Sequence, residues 1–226
     1  MWETPIYKLR SLSGKRIDID VTTSCAPGLS ANTVIFKVAK YLKKNDANSV
    51  LDFGAGALRH TFPLLDRGFS VCAVEFEDQF KRPTCQRARS RADKRGGFSS
   101  LIFPKPFIKT RRKFDAALLS FVLPTMPRNS ERRKLLRLIQ KKLHQTSYVF
   151  WMSQYGKYEK HKKQSQRVED GWYLYPKRKR HSFYCEFKDE EIDKMMKRIG
   201  FKFIKRFGQS GHDQFRLYSR GGGTWP

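Results

Sequence analysis

Acidic side chains are the scarcest group in this chain relative to their counterparts. There are 21 Asp and Glu against 47 Lys and Arg, which leaves a formal net charge of +26. So one-sided a balance sets up a field that attracts phosphate backbones, anionic lipid or acidic protein. Of these, nucleic acid is the partner the charge pattern favours. Cysteine is also sparse: Cys25, Cys72, Cys85 and Cys185 show no C-x-x-C spacing, and the histidines do not fall at zinc-finger intervals. That excludes a structural zinc site and leaves reduced thiols, with Cys72 a small core residue inside an apolar strand. Apolar runs are short; none approaches the roughly 18 residues of a spanning helix. The opening MWETPIYKLRSLSG has no apolar signal core. A cytoplasmic protein with no metal and no membrane partner is therefore expected.

What is present suffices for a core. Of the 226 residues, 39% are hydrophobic, and 18 Phe, 9 Tyr and 4 Trp supply bulk. A single domain over 1–226 is expected, with a mixed N-terminal extension at 1–30 and a basic, aromatic insertion at 154–187. Residues 30–44 place Val34, Ile35, Val38, Tyr41 and Leu42 at helical spacing behind Ser30 as N-cap. SVLDFGAG is a short strand ending in a glycine turn, and a helix made short by Pro63 and stopped by Gly68 follows it. FSVCAVEFE, SSLIF, FDAALLSFVL and SYVFWMS read as further strands. Between them lie a basic helix at KRPTCQRARSRAD, a basic loop at KPFIKTRRK and an amphipathic helix over 130–144. KDEEIDKMMKRIG is a helix with acids first and bases last, as the helix dipole prefers, and GFKFIKRFG and FRLYSR close the chain as a strand pair. Strands alternating with helices imply an α/β doubly wound, mostly parallel sheet with helices on both faces.

In such a sheet ligands bind at the carboxyl ends of the strands, near the point where strand order reverses. The stretch Val50 to His60, VLDFGAGALRH, sits there. Glycines suit this turn because a Cβ would keep a ligand from the backbone. Glu75 ends the second buried strand nineteen residues beyond Gly56, where a carboxylate can accept hydrogen bonds from both hydroxyls of a ribose. A dinucleotide site wants a third small residue in G-x-G-x-x-G, and that position is Arg59. Asp52 would also repel a pyrophosphate, whereas it suits a cofactor carrying an ammonium and a sulfonium.

At these residues the chain resembles the class I S-adenosylmethionine-dependent methyltransferases. VLDFGAGALRH matches their first motif, VCAVEFE their second, and FDAALLSFVL is similar to their fourth strand. The resemblance spans roughly residues 34–153 and 188–220. It implies a seven-stranded sheet with an antiparallel last strand and S-adenosylmethionine as cofactor. It also implies cofactor contacts from Asp52, Gly54, Ala55, Gly56, Glu75, Phe76, Ser120 and Phe121. Two departures stand out: Leu58 occupies a place where the family often has a third glycine, and FPKPF follows the third strand, where an acid is common.

The methyl acceptor is less legible. The Asp/Asn-Pro-Pro-aromatic run of amine methylases is replaced by Ser120-Phe121-Val122-Leu123-Pro124, and the Pro83–Cys85 stretch lies after the wrong strand for a nucleophile. His60 reads as a surface histidine at a helix start rather than a general base, and no catalytic residue is assigned. The 154–187 segment interleaves bases with aromatics, a combination that grips phosphates while stacking on exposed bases. Lys162, Lys163, Trp172, Tyr175, Lys177, Arg178 and Arg180 are its candidate substrate contacts. The same aromatics can instead pack an extra hairpin. Methyl transfer to nucleic acid, RNA ahead of DNA, is the leading expectation. The alternatives are a small-molecule or protein acceptor, or a non-catalytic nucleic-acid-binding protein.

Overall fold

The computed structural model describes residues 5–11, 13–24, 30–156, 165–174, 181–208 and 213–221. The N-terminal segment, unassigned from its sequence, forms an antiparallel hairpin of β1 (Ile6–Arg10) and β2 (Arg16–Asp20) and then a 3-10 turn, Val21–Ser24. Alternation makes this hairpin: Tyr7, Leu9, Ile17 and Ile19 are buried while Lys8, Arg16 and Asp18 face out. Helix α1 (Val34–Lys44) starts later than Ser30. Thr33 is its N-cap residue, and Asn32 Oδ1 accepts the Val34 N–H at 2.9 Å. Then follow β3 (Ser49–Phe53), α2 (Thr61–Leu65), β4 (Ser70–Phe76), α3 (Glu77–Phe80), α4 (Pro83–Asp93) and β5 (Phe98–Phe103).

The expected basic loop after β5 begins as a short helix, α5 (Lys105–Lys109), because Phe107 is drawn into the core against Phe53 and Phe103. Strand β6 (Phe114–Ser120) and helix α6 (Asn129–Lys141) follow, and Leu143 opens strand β7 (Leu143–Gln154) rather than ending the helix. The inserted segment supplies β8 (Ser165–Val168), β9 (Gly171–Leu174) and β10 (Ser182–Tyr184), a separate antiparallel sheet. Helix α7 (Asp189–Lys197), β11 (Lys202–Arg206) and β12 (Asp213–Arg220) complete the described chain.

The main sheet runs β11-β12-β7-β6-β3-β4-β5. Strands β3 to β7 pair in parallel, while β12 lies antiparallel between β7 and β11. Strand order therefore reverses at β3, with β4 on one side and β6 on the other. Successive strand residues point to opposite faces and feed two cores. Leu51, Phe53, Val74, Leu119 and Trp151 pack with α6, α7, the N-terminal hairpin and the β8–β10 sheet. Val50, Val71, Ala73, Leu118 and Phe150 pack with α1, α2 and α4. Cys72, Cys85 and Cys185 are buried free thiols; Cys25 lies outside the described residues.

Candidate active site

The chain leaves β3 through a turn that only glycine can make at its first position. Gly54 has φ +73°, and a Cβ there would stand 2.5 Å from Val122 Cγ2. The turn is pinned to β4 by the Gly54 and Ala55 N–H groups, which donate to the Val74 carbonyl at 2.8 and 3.3 Å. At Gly56, φ is +53° and a Cβ would meet nothing within 4 Å; the backbone there borders open space. Leu58, at the family's third-glycine place, itself adopts a left-handed φ of +62° and is fully buried, so packing holds it in a conformation glycine would take freely.

Glu75 closes the far side of this turn. Its carboxylate is buried and accepts the Gly56 N–H at 3.0 Å and the Phe76 N–H at 2.9 Å. Burial pushes its pKa up to about 7, against the lowering effect of those two N–H groups. Asp52, also buried, accepts a 2.6 Å hydrogen bond from the Thr61 hydroxyl, and burial pushes it up to about 6. The histidine expected at the surface is not there. His60 lies buried at the start of α2, where its Nε2 accepts the Asn32 N–H at 3.5 Å. Burial first, and the Arg59 charge second, press its pKa down to about 3, so it stands neutral.

These groups line one cavity of about 400 Å³ at the switch point. All eight residues proposed from sequence for the cofactor border it: Asp52, Gly54, Ala55, Gly56, Glu75, Phe76, Ser120 and Phe121. Phe76 packs edge-on to Phe103 beside them, and Arg59 lies over the Phe121 ring at 5.6 Å. Further lining residues, Tyr7, Val21, Thr22 and Met126, escaped the sequence reading, whereas Tyr184, also lining, is one of the aromatics of the 154–187 segment. They come from the N-terminal hairpin and the 3-10 turn after it, the loop after β6, and β10, which together roof the cavity. The roof is tied at both sides: Arg82 donates to the Thr22 hydroxyl at 2.8 Å, and the Asp20 N–H donates to the His181 carbonyl at 3.0 Å. The alternation in IYKLR and RIDID across Gly14 was the signal that could have revealed the hairpin, although not its place over the cavity.

The proposed acceptor contacts are placed less fully. Trp172, on β9 and half-buried, does not border the cavity. Lys162, Lys163, Tyr175, Lys177, Arg178 and Arg180 lie outside the described residues. Among the neighbouring aromatics, Tyr173 and Phe183 are buried as core of the β8–β10 sheet and are closed to base stacking. On α4, Arg89 lies over Phe80 and Arg91 against Phe62; just beyond its end, Arg95 also lies against Phe62 and pairs with Asp66. Much of that basic helix is thus spent on packing.

The buried carboxylates carry a pH signature. A glutamate protonated more readily in the folded chain than in the unfolded one contributes stability below its ordinary pKa. That contribution is lost as pH rises through the folded value. Glu75 should therefore lower the stability of the unliganded protein between 4.5 and about 7, with Asp52 acting in the same sense between 3.8 and about 6. Buried, neutral His60 acts in the opposite sense between about 3 and 6.5, so the difference carries the test: as pH rises from about 4 to 8, the melting temperature of the wild type should lose ground to that of Glu75→Gln. Identical slopes would remove Glu75 as a source.

No protein-family model matches the chain, and no curated protein does. Solved structures do. Magnesium protoporphyrin IX methyltransferase from Synechocystis PCC 6803, with S-adenosylhomocysteine (SAH) bound, superposes with a TM-score of 0.60 at 16% identity, over 83% of this chain and 82% of its own. An S-adenosylmethionine-dependent methyltransferase from Methanosarcina mazei gives 0.64 at 14% identity, over 84% and 98%. The 1,6-didemethyltoxoflavin-N1-methyltransferase of Burkholderia thailandensis gives 0.58 at 17% identity, over 84% and 79%. The chain thus has the class I, Rossmann-like methyltransferase fold. Its seven-stranded, mostly parallel sheet with the antiparallel β12 is the arrangement that the sequence predicts. Among the described residues no helix is long and apolar enough to cross a membrane, and no cluster of metal-ligating side chains occurs.

Proposed function

We propose that this chain is an S-adenosylmethionine-dependent methyltransferase acting on nucleic acid, RNA ahead of DNA. The observation that carries the cofactor is the pairing of the buried Glu75 carboxylate with the open space above Gly56, in one cavity at the switch point. Glu75 would hold the ribose diol, Phe76 and Phe103 the adenine, and the Gly54–Gly56 turn the backbone side of the cofactor. When bound, S-adenosylmethionine supplies an electrophilic methyl on a sulfonium. The chain's part is to hold an acceptor in line with that methyl and to keep water out, which is the office of the roof. Neutral His60 adds no positive charge beside the turn.

The acceptor rests on the net charge of +26 and on the basic, aromatic composition of 154–187. A small-molecule acceptor is the second reading. It is favoured by the roofed cavity, and the porphyrin and toxoflavin enzymes among the similar folds act on small molecules by their names. Incubation with labelled methyl donor and, in parallel, total RNA, genomic DNA and a metabolite extract separates them, and label in RNA is expected. Binding to a single-stranded RNA 20-mer should also weaken by about tenfold or more between 50 and 200 mM salt, as phosphate contacts release counterions. A flat salt response would shift the assignment to a small molecule.

A further inference from the structure

Helix α1 carries Lys37, Lys40, Lys43 and Lys44 and no acidic residue. At 3.6 residues per turn, Phe36, Lys37, Lys40 and Lys44 fall within an arc of about 100°. All four are exposed, opposite the buried Val34, Ile35, Val38 and Leu42. Among the described residues no carboxylate pairs with Lys37, Lys40 or Lys44. Asp46 lies past the helix end, and Asp66 is taken by Arg95. Lys43 is spent within the fold: its Nζ donates to Asn48 Oδ1 at 3.0 Å and to the Gly68 carbonyl at 3.2 Å. Beside the lysines lies a flat platform. Phe36 is 39% exposed, and Arg67 lies over its ring at 4.5 Å, held by a 3.1 Å hydrogen bond to the Pro63 carbonyl. With Ala39, these side chains line a shallow groove that contains no carboxylate. The stripe also has a direction. Ser30, Ala31 and Asn32, which lead into α1, border the cavity. From Val34 to Lys44 the helix then rises about 15 Å away from it.

We propose that this stripe is a track for a single-stranded polynucleotide whose reacting nucleotide lies in the cavity. The inference rests on the nucleic-acid reading above and names the surface that carries the strand outside the site. Lys37, Lys40 and Lys44 stand about 4.5 and about 6 Å apart along the axis and would each take a phosphate. An ammonium on a long stem adjusts to successive phosphates without demanding one geometry. The Phe36–Arg67 pair would receive an unpaired base on its guanidinium plane or its ring. A duplex keeps its bases stacked inside and offers nothing to that platform, and an acidic protein would use the lysines but leave the platform idle. The arginines of α4 lie over Phe80 and Phe62, which leaves α1 as the basic helix of this face with its charges uncommitted.

Binding of a single-stranded RNA 20-mer by the full chain, followed by fluorescence anisotropy against salt, tests this. The triple variant Lys37→Ala, Lys40→Ala, Lys44→Ala should lower the slope of log affinity against log salt by about 2 and weaken binding at 100 mM salt by about tenfold or more. Alanine is the best helix former, so α1 should persist. The matched triple Arg133→Ala, Lys134→Ala, Arg137→Ala removes the same charge from the exposed side of α6, on the other face of the sheet. It should lower the slope by less than about 1. Phe36→Ala should weaken binding about fivefold and leave the slope unchanged. Equal losses in the two triples would make net charge the cause and overturn the track, with the nucleic-acid reading left standing. No binding by the wild type would overturn both. No loss in Phe36→Ala, or wild-type binding of a blunt RNA duplex or a polyglutamate as tight as that of the single strand, would overturn the assigned occupant. Lysine acetylation of the wild type, mapped by mass spectrometry with and without the 20-mer, reads the same surface without substitution. Protection at Lys37, Lys40 and Lys44 should exceed that at Lys134, and equal protection would overturn the inference.

Discussion

Replacing Arg132 with alanine is expected to destabilise this protein by about 3 kcal/mol, the lower part of the range for breaking a buried ion pair. Arg132 stands in the first turn of α6 with 1% of its surface exposed. Its Nε donates to the Met126 carbonyl at 2.8 Å, one terminal nitrogen donates to the Pro127 carbonyl at 3.2 Å, and both terminal nitrogens meet the Asp170 carboxylate at 2.5 Å. Asp170 sits in the turn between β8 and β9, so one guanidinium joins the loop after β6 to the roofing sheet. Solvent reaches the Asp170 side chain, 45% exposed, which screens the pair and argues against the upper part of the range. For a chain of this size the melting temperature should fall by about 6–12 °C. Arg132→Lys should recover less than half of the loss, since an ammonium cannot span a carboxylate and two carbonyls in one plane. The looser roof should also expose the Cys185 thiol, since the backbone N–H of Cys185 is what ties this segment to the Pro124 carbonyl, at 2.8 Å. Thiol labelling mapped by mass spectrometry would show it. A melting shift below about 2 °C with Cys185 still protected would mean that Arg132 does not anchor the roof.

Gly54→Ala should abolish measurable SAH binding while the chain stays folded. Two costs combine at this position. A non-glycine residue at φ +73° carries a penalty of about 1–2 kcal/mol. The added methyl would also press on Val122 Cγ2 at 2.5 Å, and a β-branched side chain cannot swing away cheaply. The turn must then move, taking with it the Gly56 N–H that Glu75 accepts. The double variant Gly54→Ala, Val122→Ala removes the clash and keeps the backbone penalty, so it should regain part of the affinity. Calorimetry on both variants checks this. Wild-type affinity in the single variant would mean that the turn does not hold the cofactor.

Much of the scaffold was legible in the sequence because it depends on residues close together along the chain. The short apolar run of SVLDF before its glycine turn, Glu75 near the end of the next strand and the closing strand pair are local patterns, and each lies where those patterns predict. Ser30 misled because an N-cap is decided by the backbone of a single turn, and Asn32 supplies the side-chain acceptor instead. KPFIK was assigned to a loop because its polarity and Pro106 mask the one residue that matters, Phe107, which the core claims. His60 was misplaced because it is buried and accepts the N–H of Asn32, 28 residues earlier, a meeting that no local pattern announces.

The sequence by itself determined the sheet, the glycine turn, the acid that faces it and the sign of the surface charge. Periodicity, backbone freedom and formal charge are properties of neighbouring residues or of sums over the chain. The tertiary structure decided what roofs the cavity and why Gly54 tolerates no side chain. It also decided that Arg132 meets Asp170 and that Arg67 lies over the Phe36 ring. Each of these is a meeting between residues that strand order and crossover direction bring close, and no spacing along the chain encodes it.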